Sequence, residues 1–283
     1  MNETTDFLIV GAGIIGLNLG ISLKERFPDS KITVIDKEGQ PAVHASGRNS
    51  GVLHAGFYYT ADSFKAKFTQ TGNQRLTEYC ESRNITVNKC GKLVVAKNES
   101  ELRQLDELMN RAQTNGVSLH SITKKEAKNI EPRVKTFERA LFSPTTSSVN
   151  PIEVVQAMRE DSKKEGLKLI SQVCYLKKID DGAVKTSQGK IEFGYMVNAA
   201  GLYADKIAQD FGFSRDYRIL PFKGLYLYSK EPAGSFRTNI YPVPDLRNPF
   251  LGVHFTVTAE QKVKILIKKS KNNDELQSFI DKT

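Results

Sequence analysis

The sequence predicts an α/β protein in which a parallel βαβ nucleotide-binding domain is interleaved with a smaller α+β domain built on an antiparallel sheet. Three observations carry this. Phe7-Leu8-Ile9-Val10 is an apolar run of strand length that leads into Gly11, Gly13 and Gly16, a G-x-G-x-x-G turn. An apolar stretch at helical spacing, Ile14 to Leu23, follows at once. A second run, Lys31 to Ile35, ends on Asp36, 20 residues past Gly16, where a ribose-binding carboxylate is expected. The chemistry explains the pattern. Gly11 permits the tight turn, Gly13 lets the backbone approach a pyrophosphate, and Gly16 lets helix and strand touch. The helix N-terminus then faces the negative charge, as in a Rossmann-type unit.

The remaining elements follow in order. Pro41 to Tyr59 is rich in Gly, Ser and Asn, has no hydrophobic period, and carries two His, an Arg and two Tyr. A loop of that length inside a compact domain is usually functional. Ser63 to Glu81 reads as a helix with Phe64, Ala66, Phe68, Leu76, Tyr79 and Cys80 available for its buried side. Lys92 to Ala96 is a short strand. Ser100 opens an amphipathic helix marked by Leu102, Leu105, Leu108, Met109 and Ala112, ending near Asn115-Gly116. Thr123 and Glu126 have capping-box spacing, and Ala140-Leu141-Phe142 reads as an edge strand. A helix runs from Pro151 to Glu165, and Leu167 to Ile170 is a strand. Asp180-Asp181-Gly182 turns a hairpin whose meander continues through Lys190 to Phe193. Tyr195 to Gly201 is then a strand and small-residue turn, with a helix over Leu202 to Phe211, a second strand–glycine–helix unit. Tyr217 to Tyr228 and Asn239 to Val257 alternate apolar and polar residues and read as antiparallel strands of a second sheet.

Composition narrows the function classes. The 283 residues are 39% hydrophobic and 26% charged, which excludes a disordered chain. The net charge of +9 is spread along the sequence without basic runs interleaved with aromatics, so no nucleic-acid partner is expected. Cys80, Cys90 and Cys174 include no C-x-x-C, which argues against a disulfide framework or a metal site. No apolar run approaches the roughly 18 residues of a membrane span. The N-terminus has no basic segment or cleavage site. The expectation is a cytoplasmic protein, with contact at the face of an inner membrane left open.

The chain resembles the D-amino-acid-oxidase-like FAD oxidoreductases, and within them the L-2-hydroxyglutarate dehydrogenase/oxidase family. The resemblance runs from about Phe7 to Val263. It rests on Gly47-Arg48-Asn49-Ser50-Gly51-Val52-Leu53-His54-Ala55-Gly56 with Tyr58-Tyr59, on Cys90-Gly91-Lys92-Leu93, and on Asn198-Ala199-Ala200-Gly201. The later marks are Pro221-Phe222-Lys223-Gly224, Tyr241-Pro242-Val243-Pro244-Asp245 and Phe250-Leu251-Gly252-Val253-His254-Phe255-Thr256.

The resemblance implies FAD as cofactor. Gly11, Gly13, Ile14, Ile15 and Gly16 would hold the pyrophosphate, and Asp36 with Lys37 the adenosine ribose. Ser46, Gly47, Arg48, Asn49 and Ser50 would run beside the pyrophosphate and flavin, Val173 would meet adenine through its backbone, and Ala200 and Gly201 would flank the cofactor. It further implies a discontinuous FAD-binding domain over 1–85 and 146–215, and an incomplete substrate domain over 86–145 and 216–263. Residues 264–283 form a divergent tail where the family continues further, so a C-terminally truncated member is expected. The implied reaction is oxidation of a 2-hydroxy acid, L-2-hydroxyglutarate first, by hydride transfer to the flavin. Such a reaction needs a base for the hydroxyl proton. His254 is the first candidate and His54 the second, while Lys223, Tyr58, Tyr59 and Tyr241 are candidates for holding carboxylates. His120 and His44 read as structural or loop residues. Two alternatives stand beside this: an amine, amino-acid or glycerol-3-phosphate flavoenzyme, and a truncated, non-catalytic remnant. The electron acceptor (oxygen, a quinone or a carrier protein) is not specified by the sequence.

Overall fold

The computed structural model of the chain describes residues 2–221, 224–244 and 252–267. In chain order the elements begin with β1 (Asn2–Val10), α1 (Ile14–Arg26), β2 (Ile32–Asp36), β3 (Val52–Leu53), α2 (Phe64–Ser82), β4 (Lys92–Val95) and α3 (Glu99–Thr114). Next come β5 (His120–Thr123), α4 (Lys124–Ile130), β6 (Arg139–Ser143), β7 (Ser147–Ser148), α5 (Pro151–Lys164) and β8 (Lys168–Ser171). The last are β9 (Tyr175–Asp180), β10 (Ala183–Thr186), β11 (Gly189–Asn198), α6 (Ala204–Asp210), β12 (Leu225–Tyr228), β13 (Asn239–Pro242), β14 (His254–Val257) and β15 (Val263–Ile267). The chain divides into two units, one of residues 1–49 and 151–222, the other of residues 50–150 and 223–283.

The first unit is organised on a six-stranded sheet in the order β8-β2-β1-β11-β10-β9. β1 pairs in parallel with β2 on one side and β11 on the other. Its alternating side chains divide between two clusters: Leu8 and Val10 join Ile35, Val184 and Ile191, whereas Ile9 joins Ile32, Val34 and Leu167. A central parallel strand covered on both faces reads as a continuous apolar run, which is why Phe7 to Val10 carries no polar residue. β11 is one long strand, antiparallel to β10 and parallel to β1. The meander segment and the following strand expected from the sequence are therefore a single element, continuous through Gly194.

The second unit carries a seven-stranded sheet in the order β12-β15-β14-β13-β4-β6-β5, and β3 with β7 forms a separate two-residue ladder. Most of its pairs are antiparallel, but β13 runs parallel to β4. Two expectations change here. Ala140-Leu141-Phe142 lies in β6, an interior strand between β4 and β5. Tyr217 to Pro221 forms no strand; pairing begins at Leu225. The tail expected from Lys264 opens as strand, with Ile265 and Leu266 paired to both β12 and β14.

α4 has the reciprocal Thr123–Glu126 box, and Ser63 caps α2 by accepting from the Ala66 amide at 3.1 Å. α3 starts one residue before Ser100, because Asn98 is its cap. Its Leu105, Leu108 and Ala112 are buried in the core with Phe57, Val94 and Leu141, each leucine contributing roughly 1.5–3 kcal/mol. α2 differs from expectation. Ala66 and Cys80 are buried, but Phe64 and Phe68 are 75% and 66% exposed and stack on each other at 5.8 Å. One turn of helix places them side by side on the solvent face. Residues 50–85, expected with the nucleotide-binding segments, are in the second unit. Asn73 of α2 donates to the carbonyls of Leu53, His54 and Thr145, and Gln70 to that of Gly116.

The packing contact that shapes the first unit is between backbones. A Cβ on Gly16 would stand 1.9 Å from the Gly11 carbonyl oxygen, whereas one on Gly72 of α2 would meet nothing within 4 Å. Gly16→Ala is therefore expected to lose several kcal/mol of stability, and Gly72→Ala to gain roughly 0.5–1 kcal/mol. Urea unfolding of the two variants checks both signs.

Candidate functional site

In the first unit, the carboxyl ends of β1, β2, β8 and β11 border a groove of about 510 Å³, lined among others by Gly11, Gly13, Asp36, Ser46, Val173 and Gly201. Three short contacts build it. The Gly11 amide donates to the Ile35 carbonyl (2.8 Å) and the Ala199 amide to that of Val10 (2.9 Å). Gly11 has φ +113°, and a Cβ there would lie 2.3 Å from the Ala199 oxygen, so glycine is required for both conformation and space. Gly13 is the N-cap of α1 and supplies no capping side chain. The Ile14 amide instead donates to Ser46 Oγ at 3.0 Å, across 32 residues of sequence.

Asp36 ties the groove together. Its Oδ2 accepts from the Ala12 amide (2.7 Å) and its Oδ1 from the Glu38 amide (2.8 Å). Each oxygen keeps a second lone pair for a ligand hydroxyl. The Val173 amide donates to the Asp36 carbonyl at 2.9 Å, and its side chain is buried. Lys37 ion-pairs with Glu38 at 2.8 Å and lies over the Tyr203 ring at 4.8 Å. Ile15 is 70% exposed on the first turn of α1.

Among the loop candidates, Gly47 is forced by space, since its Cβ would lie 2.1 Å from the Ala42 oxygen. Asn49 Nδ2 closes the turn by donating to the Ala45 and Ser46 carbonyls at 3.0 Å. These two shape the loop. Arg48 is exposed. Ser50 belongs to the second unit, where its Oγ accepts from the Val52 amide. His44 pairs with Glu38 at 2.8 Å on the surface.

The residues present fit a dinucleotide. A 13-residue helix has an N-cap residue with no side chain of its own, that residue is the glycine at its tip, and a carboxylate ends the neighbouring strand.

In the second unit, one face of the seven-stranded sheet gathers the titratable residues. On β4, Lys92 and Val94 share a face, opposite Leu93 and Val95. β13 lies in register with β4, Tyr241 opposite Val94, and the antiparallel step to β14 brings the Tyr241 and His254 rings to 4.1 Å. The loop after β3 adds His54, Phe57 and Tyr58. Helix side chains hold that loop by its backbone: Asn73 on Leu53 and His54, Asn115 on Gly56 and Tyr59, and Arg111 on Tyr58.

Lys92 is the centre of this cluster and was not identified as a site residue from the sequence. It is fully buried, and its Nζ lies 3.1 Å from His54 Nδ1. The same Nζ lies 5.4, 4.9 and 4.6 Å from the ring centroids of Phe57, Tyr58 and Tyr241. No ion-pair partner reaches it among the described residues. Removing an ammonium from water costs several kcal/mol, and three cation–π contacts at about 0.5–2 kcal/mol each offset only part of it. Burial therefore pulls its pKa down from 10.5 to about 7, with a small opposing effect from Cys90.

The neighbours respond to the same dry environment. Burial, then the charges of Lys92, His254 and Lys65, hold His54 well below the usual histidine value. Burial also lowers His254, although its Nδ1 on the Gly252 carbonyl (3.0 Å) works the other way. Burial raises Tyr241 to about 12 and Tyr58 well above the ordinary phenol range. The Tyr241 hydroxyl is 3.3 Å from Thr256 Oγ1, whereas the buried Tyr58 hydroxyl has no partner among the described residues.

Of the expected substrate-side residues, His54, His254, Tyr58 and Tyr241 thus converge. Tyr59 does not join them and lies under Lys65, at 4.6 Å. Lys223 lies outside the described residues. The signals for Lys92 were its place in Cys90-Gly91-Lys92-Leu93, one of the marks of the resemblance, and at the head of the apolar run Leu93-Val94-Val95-Ala96.

The chain belongs to the FAD-dependent oxidoreductase family: the family described as "FAD dependent oxidoreductase" matches residues 6–277, past the point at which the resemblance was expected to end. A Caenorhabditis briggsae protein named L-2-hydroxyglutarate dehydrogenase, mitochondrial, is 41% identical over 89% of this chain and 60% of its own length. The human protein of that name is 38% identical over 89% of this chain and 58% of its own length. The chain therefore spans about 60% of the length of these curated relatives. Among solved structures, a Mycoplasma pneumoniae L-alpha-glycerophosphate oxidase with FAD bound superposes with a TM-score of 0.81 at 22% identity, covering 93% of this chain and 71% of that one. That likeness establishes the fold.

Lys92 makes stability depend on pH in a defined window. Below about 7 it is charged in the folded and unfolded states, and the full burial cost is present; above 10.5 it is neutral in both, and the cost is gone. Between them the unfolded state binds more protons, so stability rises with pH. From pH 7 to about 9.5 the gain over Lys92→Met is expected to be on the order of 3 kcal/mol. Paired denaturant titrations check it; parallel curves for the two proteins would remove the buried amine from the account.

Proposed function

We propose that this chain carries the FAD-binding and substrate-side residues of a 2-hydroxy-acid dehydrogenase, with L-2-hydroxyglutarate as substrate and 2-oxoglutarate as product. The observation that supports it most directly is the cluster on the second unit's sheet. A base, a buried amine and two phenols share one apolar face, as removal of a hydroxyl proton from a carboxylated substrate requires. The names of the relatives supply the substrate.

The first unit would hold FAD through Gly11, Gly13 and the α1 N-terminus at the pyrophosphate, Asp36 at the ribose, and Val173, Ala200 and Gly201 along the groove. When bound, the flavin accepts the hydride from C2 of the substrate. His54 takes the base role ahead of His254, reversing the order expected from sequence: as a residue it is half-buried, whereas His254 is 3% exposed. His254 and Tyr241 shape the wall beside it, and the Tyr58 hydroxyl is a donor for a substrate carboxylate. The electron acceptor is oxygen, a quinone or a carrier protein. No helix among the described residues is long and apolar enough to cross a membrane, and the proposed setting is the cytoplasm, at the face of an inner membrane.

Purified protein should carry flavin and bleach anaerobically with L-2-hydroxyglutarate, and not with sarcosine, glycine or glycerol 3-phosphate. His54→Gln should keep the flavin and slow bleaching by about 10²–10⁴-fold. Flavin-replete protein that stays oxidised with the hydroxy acid overturns the proposal.

A further inference from the structure

The structure raises a difficulty that the proposed reaction must meet. His54 is the accessible base, yet it is buried against Lys92 and other cations, so a charged imidazolium is the species least welcome there. We propose that His54 is a relay and that the neutral amine of Lys92 is the terminal proton acceptor: His54 Nε2 takes the substrate's hydroxyl proton while His54 Nδ1 passes its own proton to Lys92 Nζ. This inference rests on the reading of the site as a hydroxy-acid dehydrogenase.

The balance is complete. The O–H and Nδ1–H bonds break, and Nε2–H and Nζ–H bonds form. The electron pair of the substrate C2–H bond leaves with the hydride, as in the proposed oxidation, and the alcohol carbon becomes a ketone. His54 is neutral before and after, with its tautomer reversed. Lys92 goes from amine to ammonium and gains the faces of Phe57, Tyr58 and Tyr241, which surround Nζ within 5.4 Å. After product leaves, the proton returns to water by the same two nitrogens, since His54 is half-buried rather than fully enclosed.

Two geometric facts carry the assignment. Lys92 Nζ lies on Nδ1 of the imidazole at 3.1 Å, the position that a carboxylate or carbonyl usually occupies to orient a histidine base. Among the described residues it is this amine and no carboxylate that occupies the position, so the group on Nδ1 is one that can either donate or accept. As ammonium it can only donate, Nδ1 must be the acceptor, and the proton sits on Nε2, which blocks the base. As amine it accepts from Nδ1–H and frees the Nε2 lone pair. Lys92 is thus a positioning residue that selects the tautomer of His54 and touches no reacting atom itself.

The groups facing this pair are few. Cys90 lies in the loop just before β4, Tyr241 on β13, His254 on β14, Tyr58 on the loop after β3 and Lys65 on α2. The opposing residue on β6 is Ser143 and that on β13 is Asn239, both uncharged. Lys92, whose pKa is pulled to about 7, is competent only as the amine, so turnover should rise with pH through about 7.

The test uses the full-length, FAD-loaded protein with ¹⁵N-labelled histidine, the His54 signals being those lost in His54→Gln. The expected result in the absence of substrate is a swap from an Nε2-protonated to an Nδ1-protonated ring as pH rises through about 7. Lys92→Met should hold one tautomer at every pH and lower kcat/KM by at least about 100-fold with loss of the rise near neutrality. Lys92→Arg should be as slow as Lys92→Met, because it keeps the charge but cannot accept a proton. A wild-type His54 that keeps one tautomer across this range overturns the proposal without reference to any variant, and so does an arginine variant with near wild-type kcat/KM. A tautomer swap in a protein that no hydroxy acid reduces would fault the assigned reaction instead and leave the Lys92–His54 couple standing.

Discussion

The end of β1 is where the first unit is most constrained. There the chain must leave a strand that is paired on both sides, turn, and enter a helix within three residues. Both neighbouring strands hold the exit: Ile35 of β2 accepts from the Gly11 amide, and the Ala199 amide beyond β11 donates to Val10. The Gly11 carbonyl lies against Gly16 and its α-carbon against Ala199, with no room for a side chain at either glycine. Once those contacts are made, the direction of α1 is fixed and its N-terminus opens on the groove. Asp36 then sits one strand away, close enough to bond the Ala12 amide of the turn. The anion-facing helix end and the ribose-facing carboxylate are consequences of one backbone crossing rather than independent features.

How much of this could be read from the sequence depends on the distance over which each feature is determined. Gly11, Gly16 and Asp36 fall within one βαβ unit, so their spacing encodes their geometry. The capping box at Thr123 was legible for the same reason. β13 running parallel to β4 was not, because the 143 residues between Val95 and Asn239 leave no local trace of strand direction. Phe64 and Phe68 were misjudged because helical spacing gives a shared face but not which way that face points; Ala66 and Cys80, on another side, are the buried ones. Lys92 is the instructive omission. A lysine at a strand edge ordinarily snorkels to water. Its burial follows from Phe57, Tyr58 and Tyr241 arriving from a loop and from β13, more than a hundred residues apart in the chain, and no window of sequence contains that enclosure.

The buried amine and the imidazole constrain each other more strongly than either is constrained by the sheet. Two unit charges 3.1 Å apart repel by about 5 kcal/mol even at an effective dielectric of about 20. The pair therefore holds at most one positive charge near neutral pH, and its titration belongs to the pair rather than to either residue. Where that charge rests is decided by what surrounds each nitrogen. Lys92 Nζ has three aromatic faces turned toward it; the His54 ring meets Nζ itself and Tyr241 edge-on, at 6.3 Å. The ammonium is thus the better-housed cation, and the imidazole is the better conduit, being half-buried and able to exchange protons at both ends. A site in which a carboxylate replaced Lys92 would stabilise imidazolium and leave the proton on the histidine. Replacing that carboxylate with an amine moves the proton one atom further from the reacting hydroxyl. The cost is a depressed lysine that unfolded chain would rather protonate, and the aromatic enclosure is what makes that cost bearable.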